Sequence, residues 1–400
     1  MSALKEAVFS KDSAKIEALI ASDNQIFKGL RDFDQRQITS ALVRQKQYNI
    51  LLQICDSRAV TLDLYEMDKL EGSFVETVLS NILFYSEPVT RFNAEKVLEE
   101  RPDEEGITFL KSFVSKIENS NENVGNQSLL KLAILKKLPL EAFQIFINTG
   151  CSANETDASE NTLLHLDILP HYAEILIRNG ANINQKNKAG KTPLENAIEN
   201  NNLAVVRLFL DNGADLSVKN KEGNSMFYVA LVDKVLYEMY DLICDYGFPN
   251  FDEPNTEGTI LLYDYIRHID TYSSASSYEY LKKLGAQGAN VMTSCTYYGR
   301  PTTPLDLAIT KHFQVFEIVM DTYFEDINST DNQGNTLLHK LCAVNLNFDA
   351  EKARELYKKV KFVLEKGADA TIRNSQDKLP HELAMDDNLK EKIASLLLKQ

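Results

Sequence analysis

The sequence predicts an all-α protein built from one helix–turn–helix unit repeated along the chain, and three observations carry that prediction. Gly190 and Gly223 stand 33 residues apart, each two residues before the polar cap of an apolar helix ("GKTPLENA", "GNSMFYVA"). Gly150 to Thr162, Gly180 to Thr192, Gly213 to Ser225 and Gly367 to Leu379 are all steps of twelve residues. Such a step runs from one helix-stop glycine to the next helix cap, and its fixed length sets how neighbouring units stack. Around Thr192 the unit is complete: Thr192 caps, Pro193 takes the first helical position where its missing N–H costs nothing, and a more apolar helix (Leu203 to Leu210) ends at Gly213.

In chain order, Ala7 to Ile20 and Ala41 to Ile54 superpose at a step of 34, each placing an apolar helix, a polar turn and a second apolar helix. Between Ser57 and Asn123 the helices are irregular ("EGSFVETVLSNILFYS", "GITFLKSFVSKI") and read as degenerate units or as a separate small helical domain. Regular helix starts follow at Thr162 to His165 ("NTLLHL"), Thr192 to Ala197, Thr303 to Ala308 ("TTPLDLA") and Thr336 to His339 ("NTLLHKL"). Weaker copies begin at Ser128, Ser225 and, one residue off register, Ile260. Loop starts recur as Gly180-Ala181-Asn182, Gly213-Ala214-Asp215 and Gly367-Ala368-Asp369. From Leu379 onward Lys and Glu occupy positions that an inner unit would make apolar, as in a capping unit.

A period of 33 with Thr-Pro-Leu-His helix starts and Gly-Ala-Asp/Asn loop starts resembles the ankyrin repeat family over roughly the C-terminal 250 residues. The resemblance implies a solenoid of stacked hairpins with extended loops: residues 1–123 as an N-terminal cap with degenerate repeats, 124–378 as repeats and 379–400 as a C-terminal capping repeat. It also implies a non-enzymatic scaffold for protein–protein interaction, with loop tips and first helices lining a concave face and second helices forming the back. His165 and His339 occupy the family's histidine slot, where the imidazole bonds nearby loop backbone.

Gly190-Lys191-Thr192 ends like a phosphate-binding loop, but the second glycine such a loop needs, five residues earlier, is Gln185, and the preceding "ANINQKNKA" is a polar turn rather than a buried strand. A nucleotide site is not expected. The five cysteines, Cys55, Cys151, Cys244, Cys295 and Cys342, share no metal-ligand spacing. His339 and Cys342 lie three apart on one helix, yet a catalytic pair would need a third group and an open pocket, so both read as structural. His171, His268, His312 and His381 have no recognisable partners. No cofactor or metal is expected.

A net charge of −15 with no basic face argues against nucleic-acid binding. The locally basic loops (Lys186, Lys188, Lys191; Lys219, Lys221) sit among Asp215 and Glu222 and read as solvated. No apolar run reaches the roughly 18 residues of a membrane span, and Lys5, Glu6, Lys11, Asp12 and Lys15 break any leader core. A cytoplasmic monomer is expected, and the sequons at Asn126 and Asn328 then carry no weight. The Asn- and Lys-rich, Trp-free composition points to an AT-biased genome, compatible with a bacterial effector acting on host proteins in their cytosol.

Loop tips do not hold a repeat stack together, so their side chains are free for recognition. They read in order as acidic (Glu155, Asp157, Glu160), basic, basic, and acidic with an aromatic (Phe251, Asp252, Glu253, Glu257). The next runs fifteen residues from Gly288 to Thr303 instead of twelve and presents Tyr297, Tyr298 and Arg300. Eleven of the seventeen tyrosines lie between Tyr228 and Tyr298. Tyr and Arg dominate interface hot spots because they bury large area at low entropy cost. The expected partner-binding residues are therefore Phe251, Tyr263, Tyr265, Tyr297, Tyr298 and Arg300, although Tyr263 and Tyr265 could instead fill a helix interface. Two insertions, "TYSSASS" and "NLNFDAEKAREL", are partner contacts or tolerated additions. The competing reading is an enzyme with its active site in the irregular N-terminal part, where only carboxylates such as Asp103, Glu104 and Glu105 are on offer.

Overall fold

The computed structural model describes residues 2–399 apart from 24, 65–66, 68–69, 71, 83–103, 120–127, 271–272, 325 and 386. Asp103, Asn126 and Tyr272 thus lie outside the described residues, as do residues 83–103 in the middle of the irregular stretch. The chain divides into two compact units, Met1–Leu216 and Ser217–Gln400. That division differs from the boundaries drawn from repeat regularity, which follow sequence period rather than contact density.

The N-terminal unit is two rows of helices. The first helices, Ala3–Phe9, Asp32–Arg44, Phe74–Asn81 and Leu129–Lys136, pack one on the next. The second helices, Ser13–Ser22, Tyr48–Asp56, Glu104–Val114, Leu140–Asn148, Pro170–Arg178 and Leu203–Asp211, form the other row. Phe74–Asn81 and Glu104–Val114, from the irregular stretch, extend both rows: Phe74 meets Phe27 edge-on at 5.8 Å, and Phe109 stacks on Tyr48 at 4.5 Å. The helices form where the caps dictate. The Thr192 hydroxyl accepts the Glu195 N–H at 3.3 Å with Pro193 next in line, so the Gly-Lys-Thr stretch is a helix start. Burial falls on one face of each second helix; in Leu203–Asp211 it is Val205, Val206, Phe209 and Leu210.

The C-terminal unit repeats the scheme with Met226–Tyr228 leading into a single wider π turn (Val229–Asp233), then Tyr237–Cys244, Leu261–His268, Ala275–Ala286, Pro304–Thr310, Phe313–Tyr323, Leu337–Ala343, Ala350–Glu365 and Glu391–Leu397. Among the described residues the all-α expectation has one exception: the lengthened loop folds as an antiparallel hairpin of two strands, β1 (Cys295–Tyr297) and β2 (Arg300–Thr302). Both insertions run into a second helix: the described part of the first enters Ala275–Ala286, and the second passes from the turn after Leu337–Ala343 into Ala350–Glu365. Those second helices are 12 and 16 residues long against 9 for Leu203–Asp211.

Neighbouring units are tied loop to loop. Backbone N–H groups of Lys188, Thr256, Thr296 and Ser375 donate to the carbonyls of Ser159, Glu222, Gly258 and Gln333 in the preceding loop, at 2.9 to 3.0 Å. Asparagine side chains make a second tie. Asn184 donates to the Gly213 carbonyl at 3.2 Å and accepts the Asp215 N–H at 2.8 Å. Asn328, read from sequence as a bare sequon, makes the same pair with Gly367 and Asp369. The histidine slot behaves as the family resemblance implies. His165 Nδ1 accepts the Thr162 N–H at 3.0 Å, which leaves the proton on Nε2 to face the Lys191 carbonyl at 3.1 Å, and His339 does the same between Thr336 and Lys378. Burial holds the His165 pKa below its ordinary value, in keeping with that neutral tautomer.

Lysines close several first helices in the C-terminal unit. Lys311 Nζ donates to the Arg267 and Ile269 carbonyls at 2.6 and 2.7 Å, Lys359 Nζ to Ile309 and Lys311, and Lys390 Nζ to Cys342 at 2.7 Å. Lys359 and Lys390 are buried, so Lys390 is not part of a solvated capping surface. Burial pushes the Lys359 pKa down to about 8. Within the basic loops, Lys188 donates to Ala158, Lys191 pairs with Glu199, and Lys219 with Glu253. Glu155, read as an acidic tip, instead turns its carboxyl inward onto the Ser128 hydroxyl.

Two predictions test this frame. Gly190 and Gly334 both sit at positive φ, 79° and 71°, but a Cβ at Gly190 meets open space whereas at Gly334 it would lie 2.8 Å from the Ser375 backbone nitrogen. Gly190→Ala is expected to cost about 1 kcal/mol for the left-handed conformation alone, and Gly334→Ala a further 1–3 kcal/mol, roughly, for overpacking; equal urea midpoints for the two variants would contradict the loop-to-loop contact. Burial pushes the Glu155 carboxyl from 4.5 up to about 7. The folded state therefore holds a proton that the unfolded chain has already released, and the stability this confers is full below pH 4.5 and lost as pH rises through 7. Glu155→Gln is expected to stabilise the protein above pH 7 and to lose that advantage near pH 4.5, read from urea midpoints across that range.

Candidate functional site

The lengthened loop of the C-terminal unit is where tyrosine, arginine and unusual backbone geometry meet. Cys295 pairs with Thr302, Thr296 with Pro301 and Tyr297 with Arg300, so the strands are joined by two residues, Tyr298 and Gly299. Both have positive φ, 49° and 72°, the geometry of the tight turn whose twist matches a hairpin. Asn or Asp is the usual non-glycine choice at the first of these positions, because a bulky side chain there is strained. Here it is a tyrosine, 88% exposed.

The tip rests on a built pedestal. Tyr298 meets Tyr297 at 4.5 Å between ring centroids, and Tyr297 meets the buried Tyr263 at 5.5 Å. Arg267, one helical turn beyond Tyr263, sets its guanidinium 5.3 Å from the Tyr297 ring centre and donates to its hydroxyl at 3.4 Å. The guanidinium is anchored in turn on Asp264, 2.9 Å away and wholly buried. Asp264 also accepts from the Tyr228 hydroxyl at 2.9 Å and from the Thr259 hydroxyl. Burial first, then the Asp264 charge, raises the Tyr228 pKa, so this hydroxyl keeps its proton and donates. Beneath the hairpin, Ile260, Tyr263 and Cys295 form a small apolar cluster against which Tyr297 and Leu307 pack, and burial pushes the Cys295 thiol up to about 11.

The six residues expected to bind a partner therefore separate. Tyr298 and Arg300 are exposed and Tyr297 is half-buried beneath them. Phe251, Tyr263 and Tyr265 are 8%, 4% and 4% exposed, and belong to the interior rather than to a contact surface. Phe251 turns inward from its loop while its neighbour Asp252 accepts the Thr293 hydroxyl at 2.7 Å. Tyr265 fills the helix interface and donates to the Ser277 carbonyl at 2.9 Å. His312, without a recognisable partner in the sequence, meets the Tyr278 ring edge-on at 6.1 Å. Sequence reasoning missed Asp264 and Arg267. Their signal was an Asp and an Arg three apart on a helix rich in buried tyrosine, which reads equally well as a solvated pair.

Among the described residues no group of His, Cys, Asp or Glu side chains could hold a metal ion, and no helix is long and apolar enough to cross a membrane. Removing Arg267 would leave the buried Asp264 carboxylate uncompensated. Arg267→Ala is expected to destabilise the protein by about 3–5 kcal/mol, and adding Asp264→Asn to recover part of that loss; a double variant less stable than Arg267→Ala would disprove the pairing.

Residues 176–228 match the family model for ankyrin repeats in many copies. Among curated proteins, alpha-latroinsectotoxin-Lt1a from Latrodectus tredecimguttatus is 31% identical over 125 residues, which is 30% of this chain and 9% of that protein. Among solved structures, the ankyrin repeat domain of Bcl-3, described as a unique member of the IkappaB protein family, aligns with 68% of this chain and 99% of its own at 17% identity and a TM-score of 0.41. The human ASB11 ankyrin repeat domain aligns with 53% of this chain and 90% of its own at 24% identity and a TM-score of 0.38. Residues 176–228 thus carry ankyrin repeats, and the capped first helix, the glycine stop and the histidine-braced loop recur along the sequence on either side of them.

Proposed function

We propose that this protein binds a partner protein on its loop and first-helix face, with the hairpin tip Tyr297, Tyr298 and Arg300 as the hot spot of the C-terminal unit. Ankyrin repeats generally mediate protein–protein interaction, and the proposal refines that to particular residues. The observation that carries it is Tyr298: a large aromatic side chain held at positive φ, almost wholly in solvent, and supported from below by Tyr297, Arg267 and Tyr263. Neither turn geometry nor burial calls for tyrosine there, since Asn would make the same turn with less strain. A preorganised aromatic beside an exposed arginine is what a partner's pocket would accept. The composition reading, a bacterial effector acting on host proteins, belongs to the same proposal and draws its support from the Asn- and Lys-rich sequence.

The alternative enzyme reading placed an active site in residues 57–123. The described helices there, Phe74–Asn81 and Glu104–Val114, continue the two rows of the N-terminal unit, which favours the binding reading.

Tyr298→Asn separates contact from fold. The variant is expected to melt at the parent's temperature or slightly above, because Asn is better suited to the turn. It is also expected to lose about 2 kcal/mol of partner affinity, as a truncated hot spot does. Affinity capture from a lysate with the parent, with Tyr298→Asn and with the triple alanine variant at Tyr297, Tyr298 and Arg300 should recover partners only with the parent; identical recovery by all three would refute the assignment.

A further inference from the structure

A second surface, in the N-terminal unit, carries chemistry that neither the stack nor the tyrosine hairpin uses. On Asp32–Arg44 the side chains of Phe33, Arg36, Gln37, Ser40 and Arg44 fall at spacings that put them on one face of the helix. With Phe9 from the neighbouring first helix they line an open hollow of about 380 Å³. Phe9 and Phe33 are 52% and 58% exposed, an unusual share for two phenylalanines bordering one concavity. Arg36 and Arg44 are exposed, and among the described residues neither forms an ion pair. The adjacent cations are spoken for: Lys5 and Arg31 both pair with Asp34, at 2.5 and 2.9 Å. In a chain of net charge −15, this face therefore presents, among the described residues, two guanidinium groups outside any ion pair together with two exposed rings, Phe33 carrying Lys5 Nζ at 5.7 Å from its centre.

The spacing selects the ligand. Arg36 and Arg44 are eight residues apart on one helix, about 12 Å along its axis. In an extended peptide, residues four apart point to the same side at about 13 Å, and the residue midway points the same way. We propose that this face binds an extended acidic segment of a partner protein, with two carboxylates four residues apart pairing with Arg36 and Arg44. An apolar side chain midway between them packs over Ser40 and Ala41, flanked by the Phe9 and Phe33 rings. Guanidinium groups suit this role because they pair with carboxylates in a fixed two-donor geometry.

The probe is a fluorescein-labelled peptide, Gly-Ser-Glu-Ala-Leu-Ala-Glu-Ser-Gly, titrated with the full chain at low salt and followed by fluorescence anisotropy. Saturable binding is expected, weakened about tenfold or more by Arg36→Ala with Arg44→Ala, by replacing both peptide glutamates with glutamine, and by raising the salt. Phe33→Ala should weaken it while leaving the salt dependence in place. Tyr298→Asn should leave it unchanged, which separates this surface from the hairpin. All substituted positions are exposed, so circular dichroism melts should match the parent. The proposal is overturned if the peptide does not saturate, if the glutamine peptide binds equally well, or if the double arginine variant binds like the parent. It is also overturned if the peptide does not bind while the chain self-associates in sedimentation through these same arginines, which would make the occupant a second copy.

Discussion

The tie between successive loops is the constraint on which everything else rests. A single helical hairpin of this length cannot bury its apolar face, so each unit is stable only when its neighbour lies against it at a fixed offset. That offset is set in the loops. There a backbone N–H reaches the preceding loop's carbonyl, an asparagine brackets the next helix's stop glycine, and His165 or His339 braces a helix cap against the following loop. The twelve-residue step is the covalent expression of the same geometry. Lengthening it, as between Gly288 and Thr303, forces the extra residues outward, and they pair with each other as β1 and β2 while Thr296 still bonds to Gly258.

The two units satisfy the ends of their first helices differently. In the N-terminal unit neutral groups reach the free carbonyls: Gln45 reaches Val8, Asn196 reaches His165, Asn202 reaches Ile168 and Tyr172 reaches Leu138. In the C-terminal unit the same task falls to Lys311, Lys359 and Lys390. An ammonium group is stabilised by the negative end of the helix dipole and carries three donors, so it can serve two carbonyls at once. The opposing cost is desolvation, visible in the lowered pKa of Lys359, whose ammonium group also lies 5.5 Å from the Phe316 ring centre.

How much was legible in the sequence follows from what a repeat constrains. Thr192, Pro193 and Gly213 have a mechanism tied to residue type at a single position, and the helices begin and end where they indicate. The histidines at 165 and 339 were legible through the family resemblance. Asn328 and Lys390 were not, because an asparagine in a loop and a lysine on a helix look solvated unless one knows which neighbour lies above them. The candidate site divides on the same line. The loop's extra length and its Tyr-Tyr-Gly-Arg run marked the loop but not its hairpin fold, whereas Asp264 and Arg267 become visible only when Leu261–His268 is placed beneath it. Phe251 failed for a related reason: position in a loop does not fix the direction of a side chain, and a phenylalanine in a loop that packs against its neighbours gains more by turning inward.

The clustering of tyrosine in the C-terminal unit has two physical origins that sequence alone merges. Tyr228, Tyr240 and Tyr265 are buried with their hydroxyls donated to Asp264, Gln287 and Ser277, and each spends its polar end inside the stack. They serve where a phenylalanine would leave an acceptor unmet. Tyr298 stays outside the stack: its ring lies against Tyr297 and its remaining surface faces solvent. Between these extremes, Tyr297 is held by Arg267, and through it by a carboxylate at full burial, so the exposed ring stands on a support that resists reorientation. Strain at the turn and packing beneath it therefore meet at one place: Tyr298 keeps a positive φ that a bulky residue would otherwise avoid, above the chain of Tyr297, Arg267 and Asp264.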